Sequence, residues 1–138
     1  MELNMQKQQA RRFYQKIWDG YDKSVITSVL HRDFSFRGSL GQQLKGHDEF
    51  SQYLDMVHKA LGDYHCAVEE LVEEGDKVFA KMCFSGIHRD EFMGYAATGV
   101  KVSWQGCALF SFEGEKVIDL WVLGDLQSLQ QQLLQNQH

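Results

Sequence analysis

Two side chains in this sequence have a type and a setting suited to moving protons. Asp125 stands where an apolar strand pattern gives way to an apolar helix pattern, in LWVLGDLQSLQQQLL. His88 ends a run in which Val78, Ala80, Met82, Phe84 and His88 share one parity. A carboxylate that takes a proton from the carbon beside a carbonyl works best when its pKa is raised toward neutrality, and an apolar pocket does this by withholding solvation. An imidazole on the same wall can donate a hydrogen bond to the enolate that forms. Each residue also has a plainer reading. Aspartate fills a helix N-cap well, and a histidine on an apolar row is commonly a hydrogen-bonded core residue.

The stretch Trp104 to Asp125, WQGCALFSFEGEKVIDLWVLGD, reads as a β-hairpin turning at Glu113-Gly114-Glu115. If its second strand is unbroken, Val117, Asp119, Trp121, Leu123 and Asp125 fall on one row. Two carboxylates and an indole on one row describe a pocket wall better than a plain core. Trp121 is then the apolar neighbour that desolvates Asp125, although ordinary core packing is the simpler role for it. Trp104, Phe92, Tyr95 and His47 complete the candidate substrate-binding set. His47 lies just ahead of a helix pattern, which is also consistent with a surface position at a helix start.

Other chemistries find little support. His31, His58, His65 and His138 lack partners at ligand spacing, and no H-E-x-x-H or C-x-x-C occurs, so no metal site is expected. Ser85 lies in no G-x-S-x-G turn and Cys107 has no evident base. Cys66, Cys83 and Cys107 are widely spaced within strand patterns and read as reduced packing residues.

The elements that must position these groups follow from periodicity. Residues 5–18 place Ala10, Phe13, Tyr14, Ile17 and Trp18 on one helical stripe, ending at Asp19-Gly20. Asp22 can cap a short second helix, residues 33–37 alternate as a strand, and Phe50, Tyr53, Leu54, Val57 and Leu61 mark a third helix. After Gly62-Asp63 the period becomes two, predicting strands at 64–73, 77–88, 100–112 and 116–123. The loop from Arg89 to Gly99 carries Phe92, Met93 and Tyr95, too apolar for a solvated tip, and reads as a lid. Leu126, Leu129, Leu133 and Leu134 form the apolar stripe of a closing helix. Helices followed by strands predict one α+β domain over 1–138, its curved antiparallel sheet wrapped around the N-terminal helices with a cavity between them.

Composition narrows the partners. The 138 residues carry 14 basic and 19 acidic side chains, a formal net charge of −5 that makes a nucleic-acid partner unexpected. No apolar run reaches the ~18 residues of a membrane span. The opening MELNMQKQQARR lacks the apolar core of a signal peptide, so the cytoplasm is the expected compartment.

From Glu73 to Leu133 the order of landmarks resembles the SnoaL-like polyketide cyclase (ester cyclase) family, within the cone-shaped nuclear transport factor 2-like superfamily. The residues that carry the resemblance are Glu74-Gly-Asp-Lys-Val78, Phe84-Ser-Gly-Ile-His88, Phe92-Met-Gly94, Thr98-Gly99, Gly114-Glu-Lys-Val-Ile118, Trp121, Asp125 and Gln132-Leu133. The chain departs from the family pattern at Ala96-Ala97, where prolines are usual, at Lys81 and Met82, and at Leu134. The resemblance implies that Asp125 is the acid/base of an intramolecular aldol closure that uses no cofactor or metal, on a small apolar carbonyl compound of polyketide type. A fold of this kind hosts other functions too. A non-catalytic binding or regulatory module, or a structural dimerisation domain, are the alternatives.

Along the later strands Phe79, Cys83, Ile87, Leu109, Ile118, Leu120 and Val122 take the parity opposite to the expected pocket row. That much apolar outer surface predicts a homodimer through sheet-to-sheet contact.

Overall fold

The computed structural model of the chain describes residues 5–137. Helix α1 (Met5–Arg12) runs without a break into a π-helical stretch, Phe13–Asp19. The wider spiral closes where the Gly20 amide donates to the Gln15 carbonyl at 3.0 Å. The expected stripe of Ala10, Phe13, Tyr14, Ile17 and Trp18 is buried throughout. As expected, Asp22 caps the next turn, its carboxylate accepting from the Ser24 amide at 3.0 Å. A 3-10 turn (Lys23–Val25) and a four-residue helix α2 (Ile26–Val29) follow.

Strand β1 (Leu30–Arg37), the short β2 (Gln43–Lys45) and helix α3 (Gly46–Ala60) precede four long strands. These are β3 (Leu61–Glu74), β4 (Lys77–His88), β5 (Lys101–Glu113) and β6 (Lys116–Gly124), and helix α4 (Leu126–Gln135) closes the chain. The six strands form one sheet in the order β2-β1-β6-β5-β4-β3. β3 to β6 pair as an antiparallel meander, as read from the sequence. The expectation of a wholly antiparallel sheet is corrected at one pair, because β1 lies parallel to β6. No turn links these two strands, so local turn chemistry leaves their relative direction free.

The concave face of the sheet holds the core. Val78, Ala80, Met82 and Phe84 of β4 and Trp104, Ala108 and Phe110 of β5 are buried under α1, the π-helical stretch and α3. In β6 the row is not the one expected. Ser111 pairs with Asp119 but Phe112 pairs with Val117, so Ile118 is an extra residue in the ladder. A one-residue bulge inverts the facing of everything beyond it. Val117 therefore points inward together with Leu120 and Val122, whereas Asp119, Trp121 and Leu123 point outward. This is the reverse of the pocket row and the outer row expected from parity.

Gly106 and Gly124 face one another across β5 and β6. A Cβ on Gly106 would lie 2.6 Å from the Leu123 carbonyl oxygen and 2.7 Å from the Phe84 ring. The missing side chain is what lets Phe84 lie over this part of the sheet. Gly106→Ala should therefore lower unfolding stability by about 1–3 kcal/mol, since overpacking a rigid site forces strain. A urea titration of the variant beside the parent measures it, and an unchanged midpoint would show that β6 yields freely.

Candidate functional site

Between the concave face and the helices lies a cavity with about 260 Å3 of empty space. The π-helical stretch supplies Phe13, Tyr14 and Trp18, and α3 supplies Tyr53. The sheet supplies Phe36, Tyr64, Cys66, Phe84 and Val122, and Ser39 comes from the β1–β2 connection. The rings interlock at the edges: Trp18 meets Tyr53 and Tyr64 in T-shaped contacts with centroids 5.9 and 5.4 Å apart. Trp104 stands just behind this wall, against Phe84 at 5.6 Å and Tyr64 at 6.3 Å.

None of the lining side chains carries a charge at neutral pH. Burial pushes the Tyr14 and Tyr64 hydroxyls well above the usual phenol range. It lifts Tyr53 to about 12 against the opposing pull of Ser39 and the Leu40 backbone, and raises the Cys66 thiol as well. Desolvation of the ionised form is the leading cause in each case. Two polar atoms here are buried without any hydrogen-bond partner, the Tyr14 hydroxyl and the Trp104 indole Nε1. Most buried polar groups in folded proteins are paired, so each is an exception with a cause to find.

Of the residues singled out from the sequence, only Trp104 reaches the cavity wall. Asp125 is exposed and caps α4, its carboxylate accepting from the Ser128 amide at 3.1 Å. Its side chain lines a shallow groove with Lys81, Gln105 and Cys107. Trp121 is 41% exposed on the outer face, with the Arg37 guanidinium 5.8 Å from its ring centre. The bulge at Ile118 is the physical reason for both outward placements.

His88 is fully buried and satisfied. Its Nε2 donates to the Tyr95 carbonyl at 3.1 Å, which leaves Nδ1 to accept from the Thr98 hydroxyl at 3.4 Å. The His88 carbonyl in turn accepts from the Thr98 and Gly99 amides. Phe92 is buried beside the ring, and its backbone is bridged to Tyr95. His88, Phe92 and Tyr95 thus fasten the 89–99 loop to the end of β4, and this loop, read from sequence as a lid, is anchored by a core histidine. His47 donates from Nε2 to the Leu30 and His31 carbonyls at 3.1 and 3.0 Å, tying the start of α3 to β1.

The residues that do line the cavity were legible only as core. Tyr14, Tyr53 and Tyr64 sit in patterns that otherwise contain wholly apolar side chains. A phenol in such a stripe must find a partner for its hydroxyl, and that was the available signal.

The family model for "SnoaL-like polyketide cyclase" matches residues 8–133. The chain belongs to this family. Among solved structures, the SnoaL-like chain is similar to a candidate SnoaL-like polyketide cyclase from Jannaschia Sp. CCS1, at 19% identity and a TM-score of 0.84, covering 94% of this chain and 91% of that one. It is similar to TsrD from Streptomyces laurentii at 22% identity and 0.84, covering 96% and 97%. It also resembles AclR, a candidate hydroxylase from Streptomyces galilaeus, at 23% and 0.79, covering 93% and 83%. No curated protein matches the chain. At these identities the structures establish the cone-shaped α+β fold.

Among the described residues of this SnoaL-like domain, no three or more His, Cys, Asp or Glu side chains are grouped to hold a metal ion. No helix is long and apolar enough to cross a membrane.

The buried phenols make a pH prediction for the fold. A group whose pKa is higher folded than unfolded contributes no pH dependence below its unfolded pKa and costs stability as pH rises above it. For Tyr14, Tyr53 and Tyr64 that unfolded value is 10.0. Their linkage should leave the melting temperature unaffected up to about pH 9.5 and lower it steeply above pH 10. Phenolate absorbance recorded in parallel should appear for these three only as the protein unfolds. Their reversible titration near pH 10 in folded protein would contradict the burial.

Proposed function

We propose that this protein binds a small, largely apolar carbonyl compound in the aromatic cavity and acts on it by proton transfer of cyclase or isomerase type, without a cofactor. The observation that carries the reading is the enclosed, uncharged aromatic cavity between the helices and the concave sheet. Such a wall desolvates whatever it encloses, and membership of the SnoaL-like polyketide cyclase family supports a carbonyl substrate. The volume favours a ligand smaller than a fused tetracycle, since sites for drug-sized ligands span about 300–1,000 Å3.

Asp125 is the proposed proton carrier. It adjoins Gly124, which packs against Trp104 and Ser39 at the cavity wall. A second reading, a binding module without turnover, is favoured by a different observation. Asp125 is engaged as a cap and His88 as a loop anchor, and no carboxylate lines the cavity.

Two substitutions separate the readings. Asparagine caps a helix about as well as aspartate, so Asp125→Asn should change stability by under about 1 kcal/mol, whereas Asp125→Ala should cost about 0.5–2 kcal/mol. If Asp125 carries the proton, turnover of a polyketide-like β-diketone should fall about 100-fold or more in the asparagine variant. Undiminished turnover would remove Asp125 from the chemistry, and absence of turnover in the parent across such substrates would leave the binding module.

We also propose that the protein is a homodimer, joined through the outer face of the sheet. The inward turn of Leu120 and Val122 changes which residues form that face. Phe79, Trp121 and Leu123 are its exposed apolar side chains, flanked by the half-buried Cys83, Ile87 and Leu109. Sedimentation equilibrium at micromolar concentration should give twice the 16.0 kDa chain mass. Trp121→Glu should shift the equilibrium toward monomer by about tenfold or more, because a charge at an interface centre is left desolvated. A purely monomeric parent would remove the dimer.

A further inference from the structure

Two buried atoms on the cavity side of the fold donate to nothing. The Trp104 Nε1 can only donate, and the Tyr14 hydroxyl, without an acceptor, is left with its proton unused. The Trp104 Nε1 would lie 3.0 Å from a Cβ built on Gly124, beside Ser39 of the cavity wall. Tyr14 lines the cavity directly, and both rings flank Phe84, at 6.3 and 5.6 Å. Leaving such groups unpaired is costly, so a protein that retains them in an enclosed space has a use for them.

The backbone supports this. Tyr14 is carried on the π-helical stretch Phe13–Asp19, which also brings Phe13 and Trp18 to the cavity. π-Helical geometry is rare, is less favourable than an α-helix, and is found disproportionately at functional sites.

The wall also limits the charge of what it holds. Tyr14, Tyr53, Tyr64 and Trp104 are uncharged, and no lysine, arginine or histidine lines the cavity to compensate an anion, nor any carboxylate a cation. A buried ion here would be unpaired.

We infer that Tyr14 and Trp104 are the recognition donors of this site, and that its ligand is a neutral compound presenting an accepting oxygen, a ketone or a quinone, to the Tyr14 hydroxyl and the Trp104 indole N–H. This rests on the cavity reading above and deepens it, because it assigns the polar contacts that fix the ligand's orientation. It places the oxygen beside a phenol that stays protonated, the arrangement in which a developing enolate would be stabilised.

The test uses two probes of one skeleton, 1-tetralone and tetralin, titrated into the full-length protein by calorimetry. The parent should prefer the ketone by about three- to thirtyfold, the worth of one or two neutral hydrogen bonds. Tyr14→Phe should lose most of that preference while its affinity for tetralin stays within about twofold. The empty variant should melt at the same temperature as the parent or a few degrees higher, since an unpaired buried hydroxyl has been removed. In 15N–1H spectra of the parent, the Trp104 indole signal, assigned through single Trp→Phe variants, should move downfield with tetralone and not with tetralin.

Equal binding of both probes would overturn the donor assignment and leave the cavity reading standing. A Tyr14→Phe variant that keeps the preference, or an indole signal unmoved by the ketone, would likewise overturn it and point to resident water as the partner of these atoms. Binding of neither probe would overturn both the assignment and the cavity reading.

Discussion

Phe13 is the contact through which the helices and the sheet hold one another. Its ring meets Phe110 of β5 edge-on at 5.7 Å, Phe50 of α3 at 5.6 Å and its neighbour Tyr14 at 4.9 Å. Each of these rings has a further partner. Phe50 is edge-on to Phe34 and Phe36 of β1 and to Trp18, and Phe110 lies near Phe112. Aromatic rings bury large areas and favour edge-to-face geometry, so a network of this kind fixes angles as well as distances. The curvature of the sheet and the height of the helices above it are set together here, and with them the space that remains as a cavity.

The amount of the molecule legible in the sequence depended on whether a feature was periodic. The helical stripes of residues 5–18 and 46–60 and the long strands β3 to β6 repeat their signal many times, and a single atypical residue cannot mask them. The tight turns at Gly75 and Gly114 were equally plain, since both glycines adopt the positive φ that such turns require. The π-helical stretch was read as ordinary helix because the same four side chains, Phe13, Tyr14, Ile17 and Trp18, make an inward stripe in either spiral. The parallel β1–β6 pair joins strands about 80 residues apart, and nothing local specifies its direction.

The site was less legible, for a related reason. Assigning Asp125 and Trp121 to the inner wall required counting by twos from Val117, and one extra residue at Ile118 inverted the count. Leu120 and Val122 are more apolar than the residues they displaced, which was the evidence against an unbroken strand. His88 was correctly placed on an inward row, but whether such a ring is spare or satisfied depends on a loop whose path no pattern reveals. The cavity tyrosines were hidden by the opposite effect, since a phenol at a stripe position looks like any other large core residue until its hydroxyl is seen to lack a partner.

The uncharged cavity has a consequence for how a ligand would arrive and leave. Proteins that handle ions gather them with long-range fields, and their association slows as salt is added. A wall of phenols, indoles and a thiol exerts no such pull, and the net charge of −5 is spread over the exterior. Encounter would then proceed at the unsteered rate whatever the ionic strength, and discrimination among neutral compounds would fall to how long each one stays. In such a protein residence time, rather than capture, is the quantity on which selection acts.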